Sequence, residues 1–132
     1  MSHILELMKI VEADVINIET KFNILKRDFL VNWERMPLPK LRVNQQSLNE
    51  LNKIIEDAIK STREIMQELK NEDRPKEEKK VIGLLAKRYN DFCVRILGKL
   101  DGLTRLRGEE VIGQLEDIEE NFQKINKMLG SN

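Results

Sequence analysis

Apolar side chains recur at alternating intervals of four and three residues from the start of the chain: Ile4, Met8, Val11, Val15, Ile18, Phe22, Leu25 and Phe29. A mean spacing of about 3.5 belongs to a helix that packs against its neighbours through one seam. Ser2 supplies a capping hydroxyl, and Pro37 stops the helix at Met36 by disfavouring helical geometry in the residue before it. Pro39 repeats the break, so Pro37 to Gln46 reads as a linker. Ser47 and Glu50 then form a Ser-x-x-Glu capping box ahead of Leu48, Leu51, Ile55, Ala58, Thr62, Ile65 and Leu69. A charged turn ends at Pro75, whose missing N–H suits the first turn of a third helix. Ile82, Leu85, Tyr89, Phe92, Ile96, Leu100 and Leu103 carry that helix, and Val111, Leu115, Ile118, Phe122, Ile125 and Leu129 carry a fourth, with Gly130 just past its end.

The pattern predicts an all-α, antiparallel up-down four-helix bundle with a longer first helix, in one domain over 1–132. The helices are placed at 3–36, 48–71, 75–101 and 104–129. Gly102 is taken as the end of helix three and Thr104 as the cap of helix four. The alternatives are a break at Gly108 or one helix running through both glycines, since only Arg107 interrupts the apolar phase.

Composition narrows the chemistry. The 132 residues hold 23 Lys and Arg against 23 Asp and Glu, one His and one Cys. A balanced total argues against a globally polycationic nucleic-acid binder. No run approaches the roughly 20 apolar residues of a membrane span, and no signal-peptide layout opens the chain. The expected location is therefore intracellular or within a viral particle.

Metal, cofactor and catalytic residues are expected to be none. A di-iron bundle needs Glu-x-x-His on two helices, and the single His3 stands at the start of helix one, where a solvated end is expected. Haem and zinc sites fail for the same shortage of ligands. Glu116 and Glu119 match half of the paired-carboxylate motif of helical nucleotide pyrophosphohydrolases, but the following Glu-x-x-Asp is missing. No His follows an Arg as helical ribonucleases of the Arg-His type require, and no phosphate-binding glycine loop occurs. Cys93, beside Phe92 and Ile96, reads as a buried, inert thiol. No small-molecule substrate is indicated.

Two surface features remain. Helix one carries a second aliphatic set, Ile10, Ile16, Ile24, Leu30 and Val31, about 100 to 200° around from its seam, and Trp33 near its end reads as a local core anchor or as an exposed contact of that face. Small bundles keep that side polar, so it is expected to be covered by another copy or another protein, or else by Leu38, Leu41 and Val43 of the linker. The second feature is charge segregation. Residues 87–108 hold six basic and two acidic residues, net +4, and residues 109–132 hold six acidic and two basic, net −4. Packing about Gly102 is expected to set Arg95 near Glu110 and Arg88 near Asp117. If left unopposed, Arg88, Arg95, Lys99, Arg105 and Arg107, with Lys40 and Arg42, would offer a contact for nucleic acid or an acidic partner.

The functional expectation is a non-enzymatic structural or assembly protein, such as a virion component. It would form a homo-oligomer or bind a protein partner through the outer face of helix one. The alternative is a regulatory module that docks on a larger machine, for example transcription apparatus, or weakly on nucleic acid, through the basic face of helix three.

Overall fold

The computed structural model describes residues 3–35 and 43–130. It contains α1 (His3–Arg35), α2 (Gln45–Leu69), α3 (Lys76–Leu103) and α4 (Glu109–Gly130), with no strand among the described residues. The helices run up and down as an antiparallel four-helix bundle, as the periodicity predicts, and α1 is the longest at 33 residues. None is long and apolar enough to cross a membrane among the described residues. Ser2, Met36 and the linker residues Pro37 to Arg42, including Leu38, Leu41, Lys40 and Arg42, lie outside the described residues.

One apolar core runs through all four helices. Every expected seam position of α2, from Leu48 to Leu69, is buried. On α1 the seam is Ile4, Leu7, Val11, Val15, Ile18, Phe22, Leu25 and Phe29. Leu7 thus replaces Met8, which is only partly buried at the core edge. A step of three from Ile4 turns Leu7 toward the core, and the compact branched side chain fills the seam there. α2 is wedged between α1 and α3 and packs closely on both, whereas α4 packs more sparsely, turning Val111, Leu115, Ile118, Phe122 and Ile125 into the core. Phe122 lies 5.2 Å from Phe22 of α1 and 5.3 Å, edge-on, from Phe92 of α3.

Several element boundaries differ from those expected. α2 begins at Gln45 rather than 48, because Asn44 is its cap: the Ser47 backbone N–H donates to Asn44 Oδ1 at 3.0 Å. The expected cap, Ser47, therefore supplies the amide instead. α3 passes through Gly102 to Leu103, whose side chain is fully buried, and burying a leucine outweighs the modest cost of a helical glycine. Thr104 Oγ1 donates back to the Asp101 carbonyl at 3.2 Å, so it finishes α3 and does not cap α4. The chain turns at Gly108, whose φ of 55° is the left-handed conformation open to glycine, and the Gly108 carbonyl accepts from Val111 N–H at 3.0 Å. Gly130, expected past the end, is the last residue of α4.

Candidate functional site

The outer face of α1 is built by helical geometry alone. At 100° per residue, Ile10, Ile16, Ile24 and Val31 turn away from the seam, and they are 50%, 66%, 39% and 40% exposed. Leu30 and Trp33 do not join them. Trp33 follows Phe29 by one turn and returns to the core side, where the two rings stack with centroids 6.2 Å apart. Leu30 also packs against the core from its edge. Val43, expected as cover for the stripe, is buried in the core and leaves the four aliphatic residues exposed. Asn44 instead meets the far end of α1, lining a shallow cleft with Asp28, Val31 and Asn32.

The segregated charges are partly joined. With the turn at Gly108, the register of α3 on α4 shifts, and Lys99 pairs with Asp117 in place of the expected Arg88–Asp117 and Arg95–Glu110 pairs. Gln114 Nε2 also donates to the Lys99 carbonyl at 3.2 Å. Glu119 of α4 pairs with Lys26 of α1. Among the described residues Arg88, Arg95, Arg105 and Arg107 make no ion pair. Arg88 and Arg95 flank Asp91 in a small cleft closed by Ile125 and Met128, while Arg105 and Arg107 are exposed in the α3–α4 turn.

The interior offers little reactive chemistry. Burial, reinforced by the charge of Asp14, pushes the Cys93 thiol up to about 12, which keeps it protonated at neutral pH. Burial likewise pushes Tyr89 up to about 12, with Glu12 adding to the effect by its charge and by accepting the Tyr89 hydroxyl at 3.4 Å. Thr62 Oγ1 donates to the Ile59 carbonyl at 2.7 Å and lies 3.1 Å from Asn90 Oδ1.

One constellation was missed by sequence reasoning. His3 Nε2 lies 3.6 Å from Glu64 Oε1 and 3.7 Å from Glu68 Oε1, while Nδ1 faces Glu6 Oε2 at 3.8 Å. Residues so far apart in sequence carry no local motif. Only the antiparallel register of α1 on α2, which also pairs Lys21 with Glu50, would have brought them together. No family model matches the chain, and neither a curated protein nor a solved structure matches it.

Proposed function

We propose that the chain is a non-enzymatic structural or assembly protein that pairs with a second copy of itself through the outer face of α1. The observation that carries this reading is the exposure of Ile10, Ile24 and Val31, flanked by Ile16. Ile10, Asn17, Ile24 and Val31 recur every seven residues, so they form one continuous row on a helix that supercoils with its neighbours. Such a row is self-complementary under a two-fold axis: antiparallel α1 helices would set Ile10 against Val31 and Asn17 against Ile24 of the other copy. Exposed polar Asn17 would then fix the register, as a single amide in an apolar seam does.

Light scattering over a wide concentration range tests this. The expected result is a concentration-dependent dimer or larger assembly, dissociated by combining Ile10→Glu, Ile24→Glu and Val31→Glu while helical signal is retained. A strict monomer at all concentrations overturns the reading. The second reading, docking on an acidic partner through α3, draws on Arg88 and Arg95, which make no ion pair among the described residues. It is weaker, since Lys99 of the same face is engaged by Asp117.

A further inference from the structure

The start of α1 and the end of α2 bring together a donor set that neither helix holds alone. Glu64 and Glu68 lie one turn apart on the same face of α2, and His3 reaches across from the first turn of α1. The imidazole nitrogen and the two carboxylate oxygens all lie within 4.8 Å of one another. Ligand atoms at zinc distances of 2.0–2.2 Å and tetrahedral angles stand roughly 3.4 Å apart. The two distances from His3 Nε2, 3.6 and 3.7 Å, therefore need only a few tenths of an ångström of closure. The exposed carboxylate rotamers can supply the remaining movement.

Charge points the same way. Glu6, Glu64 and Glu68 make no ion pair with Lys or Arg among the described residues, so three carboxylates surround a single imidazole. Glu6 faces the other ring nitrogen, the place of the carboxylate that commonly orients a metal-bound histidine. One imidazole and two carboxylates form a mixed nitrogen and oxygen set. That set suits zinc and its first-row neighbours better than magnesium or calcium, which take oxygen alone.

We propose that His3, Glu64 and Glu68 bind one divalent cation of the zinc class, with Glu6 positioning the His3 ring. The cation fastens the start of α1 to the end of α2, and water completes its coordination. This site is independent of the self-association reading.

The test is titration of the chelator-treated full chain with Zn²⁺, followed by calorimetry and by NMR. His3 is the only histidine, so its ring C–H resonances report on the site without assignment ambiguity. The expected result is one Zn²⁺ per chain at micromolar affinity, a stoichiometric shift of the His3 resonances, and a higher thermal midpoint in the presence of metal. His3→Asn should abolish all three effects. Glu64→Gln and Glu68→Gln should each weaken binding at least tenfold. These side chains are exposed or half-buried, so the variants should keep the parent's helical circular dichroism. Absence of binding, binding that survives His3→Asn, or binding that leaves the His3 resonances unmoved overturns the proposal.

Discussion

Asp14 stands between Val11 and Val15 on α1, half-buried, with Asp57 of α2 near it. Burial first and the Asp57 charge second raise its carboxyl above the ordinary value of 3.8. A carboxyl raised in the folded state favours folding fully at pH values below its unfolded pKa, and that contribution is lost as pH climbs through the folded value. At neutral pH the ionised Asp14 is therefore a net liability. Asp14→Asn is expected to raise the thermal midpoint at pH 7, with the gain closing as pH falls below about 4. Midpoints measured across pH 3–7 for both proteins check this, and a gain that does not depend on pH would contradict it. Asn52 is a related case, since its buried Oδ1 has no hydrogen-bond partner among the described residues. At this scale the sequence was only partly legible. Cys93 as a buried thiol followed from its apolar neighbours, but nothing local marked Asp14 or Asn52, because their burial depends on how the helices pack against one another.

The helices themselves were legible because each carries an unbroken stripe of apolar residues, and heptad-like spacing has one physical reading. Their ends were less so. Gly102 and Gly108 are both chain-turning signals, and the choice between them rests on a tertiary event, the burial of Leu103. The two glycines should therefore respond in opposite ways to alanine. Gly102 is helical, and a Cβ built there meets nothing within 4 Å, so Gly102→Ala should add about 0.5–1 kcal/mol of stability. Gly108 holds a φ of 55°, so Gly108→Ala should cost about 1–2 kcal/mol. Urea unfolding of the two variants measures both signs. Equal effects would mean that the turn between α3 and α4 is not where Gly108 places it. The same shift of the turn explains why the expected α3–α4 ion pairs were out of register. Each pair depends on the position of the turn, so a turn at Gly108 in place of Gly102 displaces all of them.

For the whole molecule, neutrality conceals a basic third helix beside an acidic fourth, joined by Lys99–Asp117 and, from α1, by Lys26–Glu119. The bundle was readable from sequence as four stripes, but its surfaces were not. Leu30 lies at the core edge and not on the outer face, Trp33 takes its place as a core anchor, and His3, exposed as expected, stands in a cluster with Glu64 and Glu68. Close packing is also unequal among the helices. α2 is clasped on both sides, whereas α4 packs more sparsely, through a seam from Val111 to Ile125 that includes the contact of Phe122 with Phe22 and Phe92. Resistance to opening should follow this order. In native-state hydrogen exchange, the amides of α4 should lose protection through local opening, at a lower free energy than those of α2, which should exchange only with global unfolding. Identical protection of the two helices would contradict this. The sparse packing of α4 thus makes it a natural first breathing unit. During such an excursion the rings of Phe22 and Phe92 would be briefly open to water, with α1 to α3 still clasped together.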